Sequence, residues 1–327
     1  MVPAWFTHNR LYDLARSGRR LPPWWGVIVV GILIGILIGI LSIVLALPVM
    51  LVQIMLHSES LYFDTWVTKV SPLVSGFWWS LNLTALFGAM ILLVWLWIRF
   101  YEQRGIVTIG FEPQRAWFLY GRGLLLGFAA FCAVIGLLAP FGLVAVEPSD
   151  PALVGWTALG GVLLVLIPGW LIQGAAEEVL TRGWMLPTLA ARYRPWVGVV
   201  ISSLFFAAMH GLNPNLSALA LLNLFLYGLF AALYALREES LWGICAFHSI
   251  WNWVQGNFFG FQVSGQTVSG GMLFNLMETG PDWLTGGAFG PEGGFATTLV
   301  LVISMAIIWW WPATSRQPAG QPVTVDR

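Results

Sequence analysis

The sequence predicts an all-α polytopic membrane protein, a bundle of about eight transmembrane helices with the N and C termini cytoplasmic. Three observations predict it. Of 327 residues, 58% are hydrophobic and 9% charged, with a mean hydropathy of +0.79, whereas a soluble domain carries roughly a quarter charged residues. Eight apolar runs approach the about 20 helical residues that cross a hydrocarbon core. The basic residues, finally, fall where alternating loops require them. Fifteen Lys and Arg balance fifteen Asp and Glu, so no charge excess points to nucleic acid or another polyanion.

The runs are 25–47, 73–98, 123–146, 153–176, 196–210, 218–236, 241–259 and 295–311. The first follows Arg16, Arg19 and Arg20 like the flank of a signal peptide, but it far exceeds the 7–15 residues of a cleavable apolar core and is expected to stay as an anchor. Arg10, Arg16, Arg19 and Arg20 precede it, and Arg99, Arg104, Arg115 and Arg122 follow the second run. Arg182, Arg192 and Arg194 follow the fourth, Arg237 the sixth, and Arg316 and Arg327 the eighth. All fourteen fall on one side of an eight-span topology, which the positive-inside rule makes the cytoplasmic side, and only Lys69 falls on the other. The chain therefore divides into a cytoplasmic arm (1–23), three N-terminal spans (24–150), a core (151–260), an external Gly-rich loop (261–294), a last span (295–311) and a cytoplasmic tail (312–327). Location in the cell membrane as a multi-pass protein is expected.

Gly31, Gly35 and Gly39 recur every four residues in the first run. Small residues at that spacing line one helix face and admit another helix closely, either a neighbouring span or a second copy in a homodimer. Trp24, Trp25, Trp95, Trp97, Tyr101 and Trp309 to Trp311 cluster at run ends, as interfacial aromatics do. Cys132 and Cys245 both lie in apolar runs and form neither a disulfide framework nor a CxxC knuckle. Cys245 is read as packing rather than as a nucleophile.

Ionisable groups at membrane depth cost a few kcal/mol each and mark function. Three clusters qualify. The first is Glu177, Glu178 and Arg182 in GAAEEVLTRGW, where Glu178 and Arg182 stand four apart, acid first, and can pair on one helix face. Glu177 is about 100° around the helix and is free to face elsewhere. The second is His210, which ends an apolar run before Gly211 and Asn213-Pro214-Asn215, a strong helix stop. The third is His248 with Asn252, four apart on one face. His8 and His57 lie outside the runs.

Together Glu177, His210, His248 and Asn252 supply a base to activate water and donors for a developing oxyanion. Two His and one Glu, here Glu177, His210 and His248, would equally make a three-ligand zinc site with an open position. The H-E-x-x-H signature is absent, and residue types alone leave both routes open. A simple ruler puts His248 about 10 Å inside the cytoplasmic edge and His210 about 20 Å along from Trp196, with Glu177 at or beyond the edge. These depths converge only if the fourth helix starts later or tilts and the fifth begins well outside the bilayer.

The ordered set Glu177-Glu178 through Arg182, Phe206 through His210, and His248 through Asn252 resembles the E-E-x-x-x-R, F-x-x-x-H and H-x-x-x-N motifs of the CPBP family. These are the CAAX protease and bacteriocin-processing intramembrane endopeptidases. The resemblance covers roughly 152–260. It implies an α-helical membrane protease whose cavity is reached from the cytosol, acting on a peptide or membrane-protein substrate. Glu177 and His210 would activate water, His248 and Asn252 would stabilise the oxyanion, and Glu178 and Arg182 would support them, with Zn2+ a conditional cofactor. Eukaryotic relatives trim prenylated C-terminal peptides; bacterial ones are linked to peptide maturation or immunity. The competing readings are a proton-coupled solute transporter, since buried Glu and His also relay protons, and a catalytically silent scaffold or immunity protein. Transporters often show paired broken helices in repeated halves, and no internal repeat is present.

Overall fold

The computed structural model describes residues 2–55 and 71–311. Lys69, His57 and the 312–327 tail with Arg316 and Arg327 lie outside the described residues. Two short helices, α1 (Ala4–Thr7) and α2 (Arg10–Arg16), form the N-terminal arm. Then come α3 (Trp24–Met55), α4 (Pro72–Glu102), α5 (Ala116–Phe141), α6 (Leu159–Arg192), α7 (Pro195–Met209), α8 (Ala218–Glu238) and α9 (Trp242–Trp253). The last elements are α10 (Asp282–Thr285) and α11 (Phe295–Trp310).

Among the described residues, five helices are long and apolar enough to cross a membrane: α3 over Trp24–Leu47, α4, α5, α6 and α8. The other expected spans are helical but short. With 15 residues in α7 and 16 in α11, each rises about 22–24 Å, less than the about 30 Å of a hydrocarbon core. α9 continues through a wide π-type turn, Val254–Phe258, before the chain leaves the helix.

Two boundaries differ from the apolar runs in an informative way. α5 begins at Ala116 and ends at Phe141, so Val144–Val146, expected to finish the span, is instead strand β1. It pairs antiparallel with β2 (Leu276–Glu278), Val144 opposite Glu278, in a two-stranded sheet that an all-helical reading lacks. α6 starts at Leu159, six residues after the run begins, and continues for 34 residues to Arg192. Ile167 leaves the helical region (φ −120°, ψ 112°) before Pro168, which has no amide proton to give the ladder. These shifts place Glu177 near the middle of a long kinked helix.

The segments that carry arginines meet at one end of the bundle. Asn9 donates to the carbonyl of Leu236 at the end of α8 (2.8 Å), and Arg10 pairs with Glu112 in the α4–α5 connection. Arg192 reaches the carbonyl of Leu21, and Arg237 donates to Trp311 after α11. The opposite end gathers β1, β2 and the loop after α7, where Asn213 and Asn215 donate to the carbonyls of Ser264 and Ala288. The core between them is built on α6 and α9. Gly174 makes their approach close, since a Cβ there would stand 2.6 Å from both the N and Oγ of Ser249. Of the glycine stripe in α3, Gly31 packs on Phe205, whose ring lies 2.7 Å from where its Cβ would be, whereas Gly35 and Gly39 face open space.

Candidate active site

Glu177 and Glu178 close the regular part of α6, and the helix then widens through a π-type turn over Val179–Met185. Such widened turns recur at functional sites because they redirect side chains off the regular helix face. Here the turn carries Arg182 inward, where it is completely buried. Its Nη1 donates to Thr181 Oγ1 (2.6 Å) and to Glu178 Oε1 (3.3 Å), and its Nη2 donates to the carbonyl of Gly228 (3.2 Å). The guanidinium also stacks over Phe206, 4.6 Å from the ring centre. The expected Glu178–Arg182 pair is present, and its burial makes each charge depend on the other.

Glu178 Oε1 also accepts from His248 Nδ1, 2.8 Å away. Because a carboxylate can only accept, that nitrogen carries the proton and Nε2 is turned the other way. It stands 3.7 Å from Glu177 Oε2, beyond a direct hydrogen bond and within reach of a bridging water. Glu177 Oε2 has no hydrogen-bond partner among the described residues, while Glu177 Oε1 accepts from Gln173 Nε2 (2.9 Å). Gln173 in turn accepts from Asn252 Nδ2 (2.8 Å). One proton of the Asn252 amide is thereby committed and the other is left to give.

His210 follows the last residue of α7. Its Nδ1 lies 2.9 Å from the carbonyl of Phe206, one turn back. A carbonyl only accepts, so Nδ1 bears the proton and Nε2 presents a lone pair. Phe206 sits between the two imidazoles, 4.8 Å from the His210 ring and 6.0 Å from that of His248.

Glu177, His210, His248 and Asn252 all line one cavity of about 800 Å³. Its walls are mostly apolar, with Trp79, Leu83 and Phe87 from α4, Phe205 and Met209 from α7, and Ile32 and Gly35 from α3. Glu178 and Arg182 stand behind this surface rather than on it. The three conditional zinc ligands are not drawn together: among the described residues no three His, Cys, Asp or Glu groups form a metal-holding cluster. Glu177 and His248 approach each other, while His210, whose Nδ1 faces the Phe206 carbonyl and whose Nε2 lone pair stays free, does not join them in a cluster.

Sequence reasoning missed four residues here. Gln173 links Glu177 to Asn252, and its signal was available: an amide four residues before Glu177 in an apolar run. Tyr227, also on the cavity wall, packs edge-on against His248 with ring centres 5.1 Å apart. Ser264 and Glu292 come from the 261–294 loop, which lines part of the cavity. Ser264 N and Oγ both donate to Glu292 Oε1, and Asn223 Nδ2 donates to the Glu292 carbonyl (2.9 Å). Burial pushes the Glu292 carboxyl up, opposed by those Ser264 bonds and by the nearby imidazoles of His210 and His248. No local pattern in the loop marks either residue, because only the tertiary fold brings it back over the core.

No curated protein and no solved structure matches the chain. A family model does, across the stretch from the start of α6 to the end of α9 that supplies all three motifs. Residues 158–254 of this chain match the type II CAAX prenyl endopeptidase Rce1-like family.

Proposed function

We propose that the chain is an intramembrane endopeptidase that hydrolyses a peptide bond near the C-terminus, or in the membrane-proximal part, of a peptide or protein substrate. The observation that carries this is the convergence of Glu177, His210, His248 and Asn252 on a single, largely apolar cavity. A water between Glu177 Oε2 and the lone pair of His210 Nε2 gives its proton to Glu177 as it attacks the scissile carbonyl, and Glu177 passes that proton to the amine nitrogen as the C–N bond breaks. The carbonyl oxygen becomes an oxyanion and takes hydrogen bonds from the free Asn252 N–H and from His248 Nε2 in its protonated form. Glu178 holds that imidazole in register, and Arg182 is the counter-ion of Glu178. An apolar cavity shields these groups from bulk water and strengthens each interaction.

The gathering of the arginine-bearing segments at one end supports a cytoplasmic placement of that end and eight crossings in a cell membrane, the short helices α7 and α11 included. The transporter and silent-scaffold readings gain no supporting observation from the site.

The test is proteolysis. Purified protein in detergent is incubated with a library of membrane-proteome substrates beside Glu177→Ala and His248→Ala. Products formed by the wild type and lost in both variants support the reading, and equal cleavage by all three overturns it.

A further inference from the structure

A second concavity, of about 370 Å³, lies at the arginine-bearing end and is lined by Arg19, Arg99, Phe100 and Gln103. Two separate segments build it. The amide of Arg19 donates to the carbonyl of Glu102 (2.9 Å), which fastens the N-terminal arm to the last turn of α4. Gly18 fits beneath, where a Cβ would stand 3.2 Å from the Glu102 carbonyl oxygen and 3.3 Å from Arg104 Cδ. Gln103 leaves α4 in the left-handed region (φ 57°) and turns the chain away, so the cleft stays open.

The charge in this cleft is uncompensated. Four arginines at this end have a carboxylate: Arg10 has Glu112, Arg16 has Asp13, Arg104 has Glu102 and Arg122 has Glu238. Glu102, the acid nearest in sequence, is fully buried, and its two oxygens are taken by Arg104 Nε (2.7 Å), Trp97 Nε1 (3.2 Å) and Trp184 Nε1 (2.6 Å). Neither the Arg19 nor the Arg99 side chain has a partner among the described residues. Beside them Phe100 is 69% exposed, next to the stacked pair Trp97 and Tyr101 (4.2 Å). Aromatics at a helix end mark the headgroup depth of a bilayer.

Two guanidinium forks at that depth, with an apolar ring beside them and no acid to neutralise them, suit the phosphate of a lipid: forks bind phosphate oxygens and the ring meets the acyl boundary. The geometry points to a binding site for the phosphate group of an anionic phospholipid, drawn from the leaflet that the N-terminal arm faces. Bound there, the lipid bridges the arm and α4 and holds the arm against the bundle. The site shares no residue with the cavity and does not depend on proteolysis.

The full chain in neutral detergent is melted with phosphatidylglycerol, with phosphatidylcholine or with inorganic phosphate. The same is done for Arg19→Gln/Arg99→Gln and for a control of equal charge change at the same end, Arg115→Gln/Arg194→Gln. Phosphatidylglycerol is expected to raise the wild-type and control midpoints by several degrees and the site variant's by less than half as much. Phosphatidylcholine and inorganic phosphate are expected to leave all three unchanged. Native mass spectrometry, which reads bound lipid whatever the midpoint, should show at least a fivefold drop in retained phosphatidylglycerol for the site variant alone. Equal shifts and retention in wild type and site variant overturn the proposal, as does an equal loss in the control. A shift produced by inorganic phosphate overturns the lipid as the source.

Discussion

His248 donates from Nδ1 to Glu178 Oε1 at 2.8 Å, and the same carboxylate oxygen is the counter-ion of Arg182 at 3.3 Å. One buried carboxylate thus fixes an imidazole on one side and neutralises a guanidinium on the other. Arg182→Ala strips Glu178 of its counter-ion in a completely buried position, and breaking such a pair costs about 3–5 kcal/mol. A marked fall in Tm is the expected result. Glu178→Gln/Arg182→Met removes both charges and should recover most of that Tm while leaving peptide cleavage low, because His248 has lost its charged anchor. Additive Tm losses in the double variant would show that the two charges are not coupled.

Gln173 is a positioning residue. It bonds Glu177 through Nε2 and Asn252 through Oε1, so Gln173→Ala releases the base and the oxyanion donor together. Since small displacements of reacting groups cost about 10²-fold, kcat should fall by about that factor with KM nearly unchanged, and Gln173→Asn should not rescue it. A change confined to KM would assign Gln173 to substrate binding instead.

The arrangement of donors bears on metal dependence. Glu177 and His248 approach one another, but no third His, Cys, Asp or Glu among the described residues joins them in a metal-holding cluster. Cleavage should therefore survive dialysis against a zinc chelator. Loss of activity, restored by added Zn2+ in proportion to metal bound, would contradict this assignment.

Glu278, opposite Val144 in the small sheet, has its carboxyl pushed up to about 7 by burial, with the charges of Glu147 and Asp282 adding to the effect. The folded state therefore holds this proton more tightly than the unfolded state. The stability it contributes is complete below the unfolded carboxylate value near 4.5 and is lost as pH rises through about 7. Tm measured between pH 5 and pH 8 should fall with rising pH, and Glu278→Gln should flatten part of that slope. An unchanged slope in the variant would remove Glu278 as its cause.

The residues that do the proposed chemistry were legible because each is a polar group embedded in apolar sequence, and helix spacing alone put Glu178 with Arg182 and His248 with Asn252. What spacing could not give was which face meets which. That depends on the approach of α6 and α9 at Gly174 and on the widened turn that swings Arg182 inward, both matters of tertiary packing. The span limits shifted for a related reason. Hydropathy does not register where Pro168 bends α6 or where Val144–Val146 finds a strand partner more than a hundred residues away. The return of the 261–294 loop to the cavity, with Ser264 and Glu292, left no trace in composition, since a Gly-rich loop reads the same whether it stands in solvent or lines a cleft.

The claim on which the account turns is that Glu177 activates the hydrolytic water. Once a cleaved peptide has been identified, its single-turnover rate is measured for wild type and Glu177→Gln at matched Tm. Glutamine keeps the bond to Gln173 within reach and cannot take a proton, so the account predicts a rate lower by about 10²–10⁴-fold with the fold intact. Cleavage by Glu177→Gln within a few-fold of wild type would contradict it.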